Sequence, residues 1–296
     1  MSLLEDSIPS MVVGCVADND PKFLDQALRL LQSWRWFGGA LASADFHVCV
    51  IDSVDTRYRQ MYERYGATVH VAPRFSSNHP PSNKLRFLEL MKNGDVDRVV
   101  LLDCDTLIVQ EPLRLLAATD FAAKIADMPT VPPDIFRTLF SEFDLALPSA
   151  DQYCTVRGES IIPYFNAGVL SFSKQAMQSV VPEWIRINSL LVERMHLLEG
   201  CSNFCEQASL SLALSACRTF FTAMGNEMNF PAHFMDEPEE SDFAQIDPFI
   251  IHYHWLVDSR GYLSHSPYPL VNARISQFNE RLREELNLPP ELDRIA

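Results

Sequence analysis

The segment "DRVVLLDCDTLIV", residues 97 to 109, constrains the fold more than any other. Val99, Val100, Leu101 and Leu102 form an apolar run without alternation, as expected of a strand covered on both faces inside a parallel sheet. The run stops on Asp103 and Asp105. In an extended backbone, residues two apart point the same way, so both carboxylates are expected to project toward one point at the strand's carboxyl end. Open α/β sheets place their ligands there. Like charges held that close are tolerated when a cation or water lies between them.

Flanking segments supply the rest of such a sheet. "SMVVGCVAD" reads as a strand ending at Asp18; a helix follows, with Asp20 as N-cap, Pro21 in its first turn and glycines at its stop. Phe23, Ala27, Leu31 and Trp34 recur at helical spacing, and Leu24 and Leu28 widen that face. "FHVCVID", "TRYRQMYERYG" and "ATVHVA" continue as strand, helix and strand; Ser82 then caps the helix "NKLRFLELMKNG". This alternation predicts right-handed crossovers and a mostly parallel sheet flanked by helices. Beyond residue 120 the pattern loosens. A proline- and aromatic-rich excursion over 128–153 precedes the strand "IIPYFNAGVLSFS", the helix "VPEWIRINSLLVERMHLLEG" and the shorter helix "NFCEQASLSLALSAC". "HFMDEPEESDFAQIDP" reads as an acidic surface loop, and "FIIHYHW" as a last apolar strand ending in two histidines. Without repeats or a Gly/Ser-rich linker, residues 1–296 are expected to form a single domain.

Composition limits the function classes. The formal net charge is -15, from 39 acidic and 24 basic residues, which excludes nucleic acid as a partner for want of a basic face. A phosphate-bearing ligand would need a divalent cation to neutralise it. The seven cysteines are scattered and set mostly in apolar surroundings, which favours reduced thiols over a disulfide framework. Cys201 and Cys205 share a helical spacing, but no second cysteine pair completes a metal site. No apolar stretch is long enough for a transmembrane segment and the start lacks a secretory pattern. The expected location is cytoplasmic.

Polar residues at three strand ends remain: Asp18, the Asp103/Asp105 pair, and His252 with His254. Two carboxylates and one imidazole make a donor set suited to Mn²⁺, or to Mg²⁺ with less preference for the nitrogen. Either histidine can be the ligand, but adjacent-face geometry admits only one easily unless the strand twists at its end.

With these segments in order, the chain resembles the retaining glycosyltransferases of sequence family 8, the glycogenin and bacterial lipopolysaccharide galactosyltransferase type with a GT-A fold. "LLDCDTLIV" is similar to the family's DxD segment and "YFNAGVLSFS" to its donor-sugar segment. "SNKLRFLEL" is similar to the helix upstream of the metal strand, "CEQASLSLAL" to the acid-Gln helix start, and "CVADND" and "IIHYHW" to the first and last strand ends. The resemblance runs from about residue 11 to 261 and implies a metal-dependent transfer of a hexose from a nucleotide-diphosphate sugar, UDP-linked, to a hydroxyl acceptor. It implies a nucleotide-binding half over about 10–110, a metal, donor-sugar and acceptor half over about 111–270, and a helical tail over 271–296.

The same resemblance implies Asp103, Asp105 and His252 as metal ligands and places Ala17, Asp18 and Asn19 at the nucleobase. Lys84 would face the donor phosphates or sugar, Cys104 would lie against the donor between the two aspartates, and Asn166, Ala167 and Gly168 would line the sugar. Glu206 would contact the sugar, with Gln207 near the anomeric carbon; an acid at a helix start is also favoured by the helix dipole alone. An amide is a poor nucleophile, so front-side substitution is expected, with the leaving phosphate taking the acceptor's proton. The family's phosphate-binding lysine after the last histidine is missing. Trp255, Asp258, Ser259 and Arg260 stand in that region, and Arg260 is the candidate replacement. The acceptor is expected to meet residues 127–160, where Phe136, Phe140 and Tyr153 either stack on sugars or fill a core. Two other readings compete: a sugar-nucleotide or glycan binding module without turnover, and a nucleotidyltransferase. The second should carry a Gly-rich basic loop after the first strand, and "CVADNDPKF" has one lysine and no glycine.

Overall fold

A computed structural model of the protein describes residues 9–117, 119–234 and 242–287. The elements are β1 (Met11–Ala17), α1 (Pro21–Phe37), β2 (Asp45–Ile51), α2 (Thr56–Arg64), β3 (Ala67–Ala72), α3 (Leu85–Met91), β4 (Arg98–Asp103), β5 (Thr106–Ile108), β6 (Phe121–Ile125) and α4 (Pro133–Glu142). They continue with β7 (Tyr153–Cys154), β8 (Ser160–Ile161), β9 (Phe165–Ser173), α5 (Lys174–Glu193), α6 (Cys205–Ala216), β10 (Phe221–Met224), β11 (Phe230–Pro231), β12 (Ile250–His252) and α7 (Pro269–Asn287).

The main sheet has the order β10-β6-β9-β4-β1-β2-β3. β3, β2, β1 and β4 are mutually parallel. β9 runs against both β4 and β6, and β10 is parallel to β6. Because β9 is the reversed strand, its amino end lies at the same edge as the carboxyl ends of β1 and β4. The sheet is a mostly parallel α/β sheet covered on both faces, as the uninterrupted apolar strands require. One face packs Phe87, Trp184, Leu210 and Phe136 from α3 to α6; the other packs Leu24, Leu31, Trp34 and Tyr62 from α1 and α2. Gly14 in β1 allows this closeness, since a Cβ there would stand 2.4 Å from the Phe87 ring.

Asp20 caps α1 by accepting from the Lys22 N–H, and Pro21 opens the helix. Three local expectations are corrected. Ser82 does not cap α3; residues 80–84 form a 3-10 turn and the Ser82 hydroxyl points into the protein toward Asn188. α5 starts at Lys174, capped by Ser173, and carries Pro182 internally. An internal proline costs about 3 kcal/mol, which burial of Met177, Val180, Val181 and Trp184 offsets. The 233–248 segment is not simply a surface loop, because Phe243 is buried and stacks on Phe230 at 4.5 Å; residues 235–241 of it lie outside the described residues. The amino-terminal start and residues 288–296 of the expected tail lie outside them too.

"FIIHYHW" does not join the main sheet. β12 pairs antiparallel with β5 and parallel with β11 in a separate three-stranded sheet, with Ile251 opposite Leu107 and His252 opposite Thr106. A third core, including Tyr253, Val271, Ile275 and Phe278, joins this small sheet to α7.

Candidate active site

The extended-strand picture of Asp103 and Asp105 does not hold in detail. β4 ends at Asp103, the chain turns at Cys104 and Asp105, and Thr106 begins β5 while its hydroxyl donates to the Asp103 carbonyl at 2.7 Å. The turn sends the two carboxylates to different partners. Asp103 takes the Lys84 ammonium at 2.9 Å. Asp105 takes His252 Nε2 at 3.0 Å and His254 Nδ1 at 3.3 Å. Both carboxylates still line one cleft of about 490 Å³.

Both histidines reach Asp105 because the chain reverses after β12. His254 adopts a left-handed backbone, φ 51°, which folds its ring onto that of His252 with centroids 3.9 Å apart. The expectation that one histidine alone fits holds for a flat strand, and this strand ends in a turn. Burial would lower the His252 pKa, yet the carboxylates around it, Asp105 first and then Asp103 and Asp127, together hold it above its ordinary value. Burial would likewise raise Asp105, and His252 holds its carboxyl far below the usual carboxylate range. His254 is lowered, by burial and then by the neighbouring His252.

A line of amides fixes His252. Gly168 N–H donates to Asn166 Oδ1 at 2.9 Å, and Asn166 Nδ2 donates to Asp127 at 2.7 Å. Asn229 Nδ2 then donates to Asn166 Oδ1 at 3.1 Å, which turns Asn229 Oδ1 toward His252 Nδ1, also at 3.1 Å. Nδ1 therefore carries a hydrogen and Nε2 is the atom offered to the cleft. Gly168 leaves room for this ring: a Cβ there would stand 2.7 Å from His252 Cε1. The small residues of "FNAG" leave room for this imidazole, and Asn166 of the same segment also lines the cleft. Asp127 and Asn229 were missed in the sequence, because neither sits in a motif and only the fold brings them to His252.

Lys84 is nearly buried and also faces Glu206 Oε1 at 3.7 Å and the Ala167 carbonyl at 3.4 Å. Burial would lower its pKa, but Asp103 and then Glu206 raise it above the ordinary value. Glu206 and Gln207 open α6 and both line the cleft. Cys104 lines it as well, its thiol pushed far up by burial. At the other end, Asp18 accepts from Asn83 Nδ2 at 2.8 Å and from Arg74 at 3.2 Å. Arg74 also reaches Asp52 and was not anticipated. Ala17 is buried behind Asp18, and Asn19 donates to Ser53 nearby.

Some candidates do not converge. Arg260 is mostly exposed, pairs with Asp258 at 2.9 Å and lies over Tyr262, away from the cleft-lining residues. An acid two positions earlier already satisfies its guanidinium. Phe136 and Phe140 fill the core, and Tyr153 packs on Phe221. From 127–160, Asp127, Met128 and Thr130 reach the cleft. All seven cysteines are free thiols. Among the described residues, Asp105, His252 and His254 are the group whose ligand atoms lie within 4.8 Å of one another. One carboxylate and two imidazoles, one of them oriented by an amide, fit a divalent cation by their chemistry.

A model of the Rhodobacterales glycosyltransferase domain matches residues 19–218. The chain belongs to that family. This glycosyltransferase is also similar to the galactosyltransferase LgtC, solved with donor and acceptor sugar analogues. The TM-score is 0.58 at 16% identity, covering 95% of this chain and 98% of LgtC. An active-site Gln-to-Glu variant of LgtC gives 0.61 at 15%, with the same coverage. The glycosyltransferase GlyE of Streptococcus pneumoniae TIGR4 gives 0.55 at 15%, over 95% of this chain and 66% of GlyE. At such identities the likeness establishes the GT-A fold. No curated protein matches the sequence significantly. Among the described residues, no helix of this glycosyltransferase is long and apolar enough to cross a membrane.

Proposed function

We propose that this glycosyltransferase moves a hexose from a UDP-linked sugar to a hydroxyl acceptor with retention of configuration, with Mn²⁺ or Mg²⁺ as cofactor. The observation that carries this reading is the convergence of Asp103, Asp105, His252, Lys84, Glu206 and Gln207 on one cleft at the carboxyl edge of β1 and β4. Asp105, His252 and His254, with Asp103 beside them, would hold the cation, which supplies positive charge against a departing diphosphate.

This chain's own residues do the rest. Ala17, Asp18 and Asn19, braced by Arg74 and Asn83, form the nucleobase end, and Cys104 closes the cleft between the two carboxylates. Lys84 offers its ammonium to the donor. Asn166, Ala167 and Gly168 shape the sugar side through the amides that hold His252. Glu206 accepts from sugar hydroxyls, and Gln207 stands beside the anomeric carbon. The anomeric carbon–oxygen bond to the diphosphate breaks, the acceptor oxygen bonds to that carbon on the same face, and its proton passes to the leaving phosphate oxygen. Arg260 is left out of this site. The LgtC active site likewise includes a glutamine, which supports the role given to Gln207. The chain acts in this reading as one transferase domain, and its free thiols support the reducing cytoplasm.

A thermal-shift panel of nucleotide sugars, each with and without Mn²⁺, tests the reading. A ligand at a hundred times its Kd stabilises by about 2.7 kcal/mol. A rise in Tm with a UDP-sugar that requires the metal is expected. No shift with any nucleotide sugar in the presence of Mn²⁺ would overturn it.

A further inference from the structure

Behind the cleft wall, two buried polar atoms face each other and neither has a hydrogen-bond partner. They are His79 Nε2 and Glu206 Oε2, 3.7 Å apart, on side chains that are each 3% exposed. Leaving a buried polar group unsatisfied costs about 1–3 kcal/mol, so a matched pair of such atoms calls for a physical account.

The surrounding hydrogens can be assigned one by one. Trp184 Nε1 donates to the Glu206 carbonyl at 2.9 Å and to Ser209 Oγ at 3.0 Å. Ser209 gives its hydroxyl hydrogen to the Glu206 carbonyl at 2.9 Å, so it accepts from Asn188 Nδ2 at 3.0 Å. That fixes the Asn188 amide and turns its Oδ1 to Ser82, which donates to it at 2.7 Å. A hydroxyl has one hydrogen. Ser82 Oγ therefore accepts from His79 Nδ1 at 2.7 Å, and Nδ1 carries a hydrogen.

His79 Nε2 is then either bare or protonated. A bare nitrogen against an ionised Glu206 would set two lone pairs at each other in a buried space. A single proton between them, on the imidazole or on the carboxyl, removes the conflict. The other groups near Glu206 do not supply it. Lys84 faces the second carboxyl oxygen, Oε1, and is shared with Asp103. The Tyr164 hydroxyl and the Cys205 thiol are kept neutral by burial, which raises both.

We propose that His79 and Glu206 hold one proton between them, and that His79 is a positioning residue that keeps the Glu206 carboxyl fixed and charge-balanced when Lys84 turns to the donor. The consequence for the donor rests on the glycosyl-transfer reading above; the shared proton does not. Without His79, Lys84 is, among the described residues, the one cation facing both Asp103 and Glu206, and engaging it with a diphosphate would leave Glu206 buried and unpaired.

Nitrogen-15 NMR of histidine side chains in the full chain, without substrate, tests the proton. The expected His79 Nε2 signal is that of a protonated or hydrogen-bonded nitrogen, moving to that of a bare nitrogen in Glu206→Leu. A bare Nε2 in the native protein, or a signal that Glu206→Leu leaves in place, overturns the proposal. His79→Asn tests the positioning role. Loss of the group that balances a buried carboxyl predicts a fall in kcat for sugar transfer of about tenfold or more, with UDP affinity within about twofold. Equal losses of transfer and UDP binding, or no loss of transfer, overturn that role. If the native protein transfers no sugar at all, the transferase reading fails, while the NMR arm still decides the shared proton.

Discussion

The two ends of the cleft are built differently. At the β1–β3 end, Asp18 meets Arg74 and Asn83, and its ion pair is about a quarter to a third exposed. At the β4–β5–β12 end, Asp105 meets His252 and His254, with His252 held through Asn229, Asn166 and Asp127. Water screens the first set, and any one partner there can be lost at small cost. In the second set Asp105 and His254 are about as exposed as Asp18, but His252 is buried and interlocked with Asn229, Asn166 and Asp127, so removal of one member strands the others. Separable contacts of the first kind can yield to a ligand, whereas an interlocked set holds its charges at fixed points.

The sharpest way to break this contrast is Asp105→Asn against Asp18→Asn. The first should lower transfer at least a hundredfold with the fold retained; the second should weaken UDP binding only several-fold. Circular dichroism melts and UDP-release assays of both proteins check this, and equal effects would erase the distinction. Next in size is Gly168→Ala. The added methyl has to displace the His252 ring, so metal affinity should fall about tenfold to a hundredfold, by titration calorimetry, with a stability loss of about 1–3 kcal/mol. Gln207→Ala should slow transfer more than it weakens UDP binding if this cleft-lining side chain acts as proposed beside the anomeric carbon; equal losses would assign it to nucleotide binding instead.

The smallest effect lies outside the cleft and calibrates the others. Asp247 pairs with Arg274 of α7 at 2.5 Å, and this partner lowers its pKa. A lowered folded-state pKa gives stability that is present above the unfolded value, about 3.9, and lost as pH falls through the folded one. The pair is partly exposed, so Arg274→Ala should cost under about 1 kcal/mol at neutral pH. The difference from native should vanish in melts taken well below pH 3.9.

The strand–helix order of the first hundred residues was legible because each element declares itself locally. Asp20 caps its own helix, and the β4 core residues form one continuous apolar run. The start of α5 was not, since Pro182 reads as a helix start until Trp184 is known to be buried against α6. At the site, Asp103, Asp105 and His252 were visible as polar groups at strand ends, and Lys84, Glu206 and Gln207 were named through the family resemblance. Asp127, Asn229, Arg74 and His79 were not, because an isolated polar residue carries no signal of what it will face.

The sequence alone determined that this chain forms a doubly covered, mostly parallel sheet with carboxylates at its carboxyl edge, because apolar periodicity and chain ends are local properties. Only the tertiary structure decided that Asp103 and Asp105 part company at a turn, that both histidines reach Asp105, and that Arg260 stays outside. The meeting of the histidines with Asp105 depends on β12 pairing with β5 in a sheet of its own, a contact between residues far apart in the chain that no local pattern encodes.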